Sequence, residues 1–399
     1  MFRKPRLFTP GPTPLLPAAQ FAMAAADMHH RTPEFRALYL KVLDQLKTFI
    51  GTKNDVVVLT CSGTGAMEAS VANLTNPGDT VLVLAAGKFG ERWASLAKAY
   101  GLKPNTISAP YGSTFDLAQA KQQLTAETRV VYMQATETST GVRHNVEAVA
   151  KLLKGTDTLL VVDAITGLGT THIDTDAWGV DLIIGGSQKA LMIPPGLAYL
   201  AASERAWKRM ESSKQPRYYF DLAKERKAAS KGEASYTPSV ALIAAMGAAL
   251  DYLASRANGD LAQARVELID NAERCAAMTR AAAEALGYEL FAPDSPGAAV
   301  TAVKAPAGKS STDVVKALKT DFAATVADGQ GDMKGQLFRI AHLGFFDYMD
   351  TLALVGALEF VTKKVAPKAR FELGDGLRAA QNAFASSIEQ PELAAAEAR

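Results

Sequence analysis

The sequence predicts an α/β fold: a large domain on a mostly parallel sheet with helices on both faces, then a smaller C-terminal α+β domain. Three observations carry this. Through the first half, short β-branched runs alternate with amphipathic stretches, the pattern of strand–helix–strand units. Short loops join each strand to a helix and each helix to the next strand, so successive strands run mostly parallel and both sheet faces are covered. From about Val240 the alternation gives way to long Ala-rich helical stretches, and 399 residues exceed what one compact core usually holds.

In order, the strand candidates are Val56–Thr60, Thr80–Leu84, Arg129–Met133, Leu159–Asp163, Asp181–Ile184 and Leu197–Ala201. Helices are expected over Gly65–Leu74, Gly90–Tyr100, Asp116–Leu124 and Val146–Leu153. Two long helices near Ser239–Ser255 and Asp260–Leu286 follow. Beyond them lie strand candidates Ala299–Val303 and Leu337–Ile340 and helices Ser311–Lys319 and Met349–Val365. The boundary between the lobes is placed at Ala257–Gly259. The expected division is an N-terminal segment 1–20, a large domain 21–256, a small domain 257–385 and a frayed Ala/Glu-rich tail 386–399.

Composition narrows the function classes. Hydrophobic residues make up 48% and charged residues 21%, and a net charge of +2 is spread without a basic stripe, which speaks against nucleic-acid and membrane-surface binding. No apolar run reaches the roughly 20 residues a membrane span needs. Two cysteines, Cys61 and Cys275, make neither a disulfide framework nor a metal site alone, so a reducing, cytoplasmic setting and no bound metal are expected.

The chemistry concentrates in three segments. In Asp181-Leu-Ile-Ile-Gly-Gly-Ser-Gln-Lys189-Ala-Leu-Met-Ile-Pro-Pro-Gly196, a strand runs out into a loop that carries a lysine among small and apolar residues. Ligands collect outside the carboxyl ends of parallel strands, and a desolvated lysine there becomes a nucleophile for an aldehyde. A surface loop lysine is the plain alternative, and for Lys189 alone it would prevail. Leu159-Leu-Val-Val-Asp163 ends a second strand in a carboxylate, the group that keeps a pyridinium nitrogen protonated. A turn cap is the ordinary reading of Asp163; the pairing of the two strand ends is what favours chemistry. Cys61-Ser-Gly-Thr-Gly-Ala-Met-Glu68 follows a strand and opens a helix, a cradle for an anion although neither a P-loop nor GxGxxG. A glycine-containing N-cap explains that segment equally well by itself.

Together with Thr9-Pro-Gly-Pro12, these segments resemble the class V aminotransferases, fold-type I pyridoxal-phosphate enzymes, and among them the alanine–glyoxylate and serine–glyoxylate (serine–pyruvate) aminotransferase family. The resemblance covers nearly the whole chain, to about Val365. It implies a seven-stranded sheet in the large domain, pyridoxal 5′-phosphate as cofactor, and a homodimer with shared active sites. By the resemblance, Lys189 is the Schiff-base lysine and Asp163 the partner of the ring nitrogen. Thr64, Gly65, Ala66 and Gln188 fall at the phosphate and ring, Phe89 at the stacking aromatic where many relatives have Trp, Thr138 near the ring's oxygen substituent, and Ile165 against the cofactor. Thr237 matches a residue reaching the neighbouring subunit's phosphate. Relatives often have Tyr where this chain has Ala234, so Tyr236 is a possible stand-in. Arg339 matches the receptor of the substrate carboxylate, a role its planar fork suits, and Gly11 lies at the substrate side of the mouth. Structural or interface roles are expected for His29 and His30, and Cys61 is read as an inert buried thiol.

The implied reaction is ping-pong transfer of an amino group through Lys189 from a small amino acid, alanine or serine, to a 2-oxo acid such as glyoxylate or pyruvate. Aspartate or 2-aminoethylphosphonate as substrate, a lyase on the same fold, and a non-catalytic subunit are the rival readings.

Overall fold

The computed structural model describes residues 3–389. Its centre is a seven-stranded sheet of β1 (Asp55–Leu59), β2 (Thr80–Ala85), β3 (Lys103–Ser108), β4 (Thr128–Gln134), β5 (Leu159–Asp163), β6 (Leu182–Gly186) and β7 (Ala198–Ala202), in the order β1-β7-β6-β5-β4-β2-β3. Only β7 runs antiparallel to its neighbours, β6 and β1. Because it does so on both sides, β1 points the same way as β6, and the carboxyl ends of β1, β2, β4, β5 and β6 share one edge. Every residue of β5, β6 and β7 is buried, as expected of strands covered on both faces.

β3 departs from the sequence expectation, which left Lys103–Ser108 unassigned. Of its side chains only Ile107 is buried, and Pro104 removes a ladder donor, which an edge strand tolerates. The other large addition is helix α1 (Pro33–Ile50). Thr32 caps it by accepting from the Phe35 amide, Pro33 opens it, and Gly51 closes it in the left-handed conformation. Its inner face, from Phe35 and Tyr39 to Phe49 and Ile50, is fully buried.

Two further helices bring cavity residues to the sheet edge, α2 (Gly63–Leu74) after β1 and α3 (Lys88–Ala99) after β2. α3 is docked by Gly90, Trp93 and Ala97, one helical face, and Trp93 stacks on Tyr132 of β4 with centroids 4.6 Å apart. Phe89 and Arg92, three apart, lie on the adjoining face, turned toward the strand ends.

Helices α4 (Val240–Arg256) and α5 (Leu261–Ala285) meet at an 86° bend around Ala257–Gly259. α5 starts against the large core with Leu261 and Ala264 and ends in a second core with Cys275 and Ala283. That second core is closed by a sheet of β8 (Val300–Lys304), β9 (Ala327–Asp328) and β10 (Leu337–Ala341) and by α6 (Ser311–Phe322) and α7 (Tyr348–Val365). The N-terminal segment belongs partly there: Arg6–Leu7 pairs with Ala324–Thr325, and Phe8 is buried in the second core. The tail expected to fray from 386 is instead helical to Glu389, as the end of α8 (Asp375–Glu389); residues 390–399 of that expectation lie outside the described residues. Leu377 of α8 packs on a cluster with Met278 and Val355, an anchoring the tail's composition did not reveal. Among the described residues, no single helix is long and apolar enough to cross a membrane.

Candidate active site

A cavity of about 230 Å³ opens at the shared strand edge. β1 and α2 supply Ser62, Gly63 and Thr64; α3 supplies Phe89 and Arg92; the segment after β4 supplies Thr136 and Thr138; β5 and its loop supply Asp163, Ile165 and Thr166; the β6 loop supplies Gln188 and Lys189; and the N-terminal segment closes over them with Gly11 and Pro12.

The lysine loop is held from several directions. The Ser187 hydroxyl donates to the Pro194 carbonyl at 2.7 Å, the Met192 amide to the Lys189 carbonyl at 3.0 Å, and the Thr13 hydroxyl to the Lys189 carbonyl at 3.1 Å. Met192 sits at φ 58, an unusual conformation for a side chain of its size, kept in place by this packing. Lys189 is 8% exposed, and its ammonium donates to the Pro10 carbonyl. Burial lowers its pKa to about 8, the nearby Asp163 carboxylate opposing and Arg339 reinforcing the shift. Gly11, at φ +140, passes so close that a Cβ there would sit 2.6 Å from the lysine nitrogen. Only glycine fits both that conformation and that approach.

Asp163 stands abreast of Ile184 in the sheet, with Lys189 a short loop beyond. It is 6% exposed, accepts from the Ile165 amide at 2.9 Å, and has its pKa raised to about 6 by burial. The Ile165 amide and the more distant charges of Lys189 and Arg92 offset that burial only in part, so a buried carboxylate in this condition would favour a protonated ring nitrogen.

At the start of α2 the capping residue Ser62 makes no side-chain cap, which leaves helix-start amides facing the cavity. The expected contacts are redistributed: Ser62, Gly63 and Thr64 line the cavity, whereas the Gly65 amide donates to the Ser62 carbonyl at 2.8 Å and the Ala66 amide to the Cys61 sulfur. Burial pushes the Cys61 thiol up to about 12, so it stays a thiol at neutral pH. Gln188 has a buried Oε1 without a partner. A half-turn of that amide would present its NH2 to an anionic oxygen. The Thr138 hydroxyl donates to that of Thr166 at 3.0 Å.

Arg339 is 4% exposed on β10 but is absent from the cavity lining. Its Nε and Nη2 donate to the Asp328 carbonyl at 3.2 and 2.7 Å, and its Nη1 to the Thr138 carbonyl at 3.2 Å. Three of the five guanidinium N–H groups are thereby used, leaving one on each terminal nitrogen. Burial brings its pKa down to about 10. Thr237 is exposed and away from the cavity of its own chain, beside Tyr236, whose hydroxyl donates to the Tyr218 carbonyl at 2.8 Å. His29 is exposed, its Nδ1 accepts from the Arg31 amide, and neither His29 nor His30 lines the cavity.

Two residues escaped the sequence reading. Arg92 lines the cavity, its Nη1 donating to the Thr64 hydroxyl at 3.0 Å and its guanidinium lying 4.8 Å from the Phe89 ring centroid. Its spacing from Phe89 on α3 was the available signal. Glu137 is fully buried and accepts from the Phe89 amide at 3.1 Å, the Gly90 amide at 3.0 Å and both Ser139 donors. It caps α3 from across the sheet edge, and a Cβ at Gly87 would strike its carboxyl carbon at 2.5 Å. Nothing local in Thr136-Glu-Thr-Ser announces that contact.

The aminotransferase class-V family model matches residues 18–331. The chain belongs to the class-V aminotransferases. It is 37% identical, over 95% of its length and 98% of the other's, to a protein of Anabaena cylindrica named soluble hydrogenase 42 kDa subunit. Among solved structures it resembles an aspartate aminotransferase of subgroup IV from Thermus thermophilus, with a TM-score of 0.83, 34% identity and coverage of 90% and 99% of the two chains. An alanine–glyoxylate aminotransferase from Nostoc sp. superposes with a TM-score of 0.82 at 30% identity, covering 90% and 96%. The aminotransferase is thus a fold-type I, pyridoxal-phosphate-dependent enzyme acting on an amino acid and an oxo acid. Its cavity fits that cofactor: an uncapped helix start and the Gln188 amide, once turned so that its NH2 faces in, suit the phosphate, Asp163 the ring nitrogen, Phe89 and Ile165 the ring faces, and Lys189 the aldehyde.

Proposed function

We propose that this aminotransferase moves an amino group from a small amino acid, alanine or serine, to glyoxylate or pyruvate in a ping-pong cycle. The observation that carries the chemistry is the convergence of Lys189 and Asp163, from adjacent strand ends, on one cavity that also holds an anion cradle; the choice of small substrates is supported by the likeness to the Nostoc alanine–glyoxylate aminotransferase. Bound pyridoxal phosphate supplies an aldehyde that exchanges amines and a ring that withdraws electrons from the substrate's α-carbon.

The chain's own residues do the rest. Ser62, Gly63, Thr64 and Gln188 hold the phosphate, Phe89 and Ile165 hold the ring, and Asp163 keeps the ring nitrogen protonated. Once released by the incoming amine, Lys189 takes the α-proton and returns it on the other side of the reaction; burial brings its pKa down to about 8, so a working fraction of the amine is neutral near neutrality, where an ordinary lysine is almost wholly charged. Arg339 has a free N–H on each terminal nitrogen and receives the α-carboxylate next to Thr138. Thr138 orients the ring oxygen, and Gly11 and Pro12 close the mouth against water.

Aspartate is the second reading, favoured by the name of the Thermus relative. A half-reaction screen decides: the holoenzyme is mixed with single amino acids and the cofactor absorbance followed. Alanine or serine should convert the bound cofactor to its amine form much faster than aspartate, and the reverse order would overturn the donor assignment.

We further propose that the enzyme is a cytoplasmic homodimer in which Thr237 of each copy reaches the other copy's phosphate. Its exposure next in sequence to Tyr236, which packs on Tyr218, itself 78% exposed, supports this. Sedimentation should return twice the 42.3 kDa chain mass, and a monomer would contradict it.

A further inference from the structure

Arg92 is a cation in search of an anion. Among the described residues, Arg92 and Lys189 are the cations lining the cavity, and no carboxylate ion-pairs with Arg92. Its one side-chain hydrogen bond, at 3.0 Å, goes to the Thr64 hydroxyl in the first turn of α2. The guanidinium lies 4.8 Å from the Phe89 ring centroid, a contact that leaves its remaining N–H groups unused.

The cradle needs such a charge. A phosphate monoester carries between one and two negative charges at neutral pH, whereas a helix start offers about half a positive one. Thr64 and Gln188 add only neutral donors, Arg339 is turned to the carbonyls of Asp328 and Thr138, and Lys189 is committed to the aldehyde rather than the phosphate. An oxygen anion accepting from the Thr64 hydroxyl would stand within about 6 Å of Arg92 Nη1, two hydrogen-bond lengths, close enough for the two charges to attract. The neighbouring helix dictates the geometry: Glu137 anchors the start of α3, so the platform residue Phe89 and the cation three residues on arrive together.

We propose that Arg92 is the charged ligand of the cofactor's phosphate. The assignment rests on the reading of this cavity as the pyridoxal-phosphate site, and the test separates the two. Full-length cofactor-free protein, wild type, Arg92→Met and Arg92→Lys, is titrated with pyridoxal 5′-phosphate and with pyridoxal, which lacks the phosphate, and binding is read by absorbance and by the shift in melting temperature. Arg92→Met keeps an unbranched stem over Phe89. It should weaken pyridoxal phosphate by about 10- to 100-fold and flatten the salt dependence of its binding, with pyridoxal changed less than about twofold. Arg92→Lys should recover most of the loss. Equal losses for both ligands would mean that Arg92 serves the Phe89 stack, and no loss for either would mean that it serves neither; both overturn the proposal while leaving the cofactor site intact. A wild-type protein that binds no pyridoxal phosphate at this cavity would remove the underlying reading as well.

Discussion

Lys189→Ala is expected to lower kcat by about 10⁴-fold or more while the protein still binds pyridoxal phosphate. Two functions vanish together: the amine that holds the aldehyde, and the base that moves the α-proton, itself worth about 10²–10⁴-fold. The cradle and Asp163 remain, so cofactor retention by equilibrium dialysis should persist at reduced affinity. Folding should not suffer, because the wild type buries a group that prefers water: Lys189 is 8% exposed and burial holds its pKa at about 8. Between that value and the ordinary 10.5 the unfolded chain binds more protons than the folded one, so the wild type gains stability as pH rises across the window, and the alanine variant should not. Steady-state rates and thermal melts from pH 7 to 10.5 check both parts. Wild-type turnover in the variant would remove Lys189 from the mechanism.

The second large effect is expected at Asp163→Asn. The amide keeps the size of the side chain and its oxygen still accepts from the Ile165 amide, but it cannot balance a protonated ring nitrogen. Breaking a buried ion pair on one side costs about 3–5 kcal/mol. If that loss falls on the transition state, kcat drops by about 10²–10⁴-fold. The pH dependence separates this from general damage. In the cofactor-free chain Asp163 has its pKa raised to about 6 from an ordinary 3.8, so the folded state holds a proton the unfolded state has released. Its stabilising contribution is present below about pH 4 and disappears as pH climbs through about 6. Asp163→Asn should erase that slope in thermal melts. A variant with unchanged kcat would contradict the assigned role.

The architecture was largely legible because buried parallel strands write themselves as apolar runs. Leu159–Asp163 and Val146–Leu153 occupy the residues expected of them, and most other elements shift by one or two at their ends. Lys103–Ser108 was hidden because an edge strand with Pro104 and one buried side chain carries almost no alternation. α1 carries every signal of a helix, Thr32-Pro33 at one end, Gly51 at the other and buried residues on one face between them, so it is as legible in the sequence as the helices that were expected.

At the site, the residues that announce themselves are those whose local segment demands a function: a lysine after a buried strand, an aspartate ending one, a glycine-rich helix start. Lys189, Asp163, Thr64, Phe89, Thr138, Ile165, Gln188 and Gly11 all line the cavity. Glu137 and Arg92 acquire meaning only through tertiary contact, the first by reaching back to amides nearly fifty residues earlier in the chain, |i−j| = 48 and 47. Arg339 illustrates the converse. Its residue type was legible, but its partners, the carbonyls of Asp328 and Thr138, are set by how β9 and β10 meet the large lobe.

The central claim is that one lysine, facing one buried carboxylate, carries the cofactor. Borohydride reduction of the holoenzyme followed by peptide mapping tests it directly. The account predicts a single peptide, the one spanning the Ser187-Gln188-Lys189-Ala190 loop, that has gained the mass of the reduced cofactor on Lys189. Cofactor mass on any other lysine, with Lys189 unmodified, would contradict it.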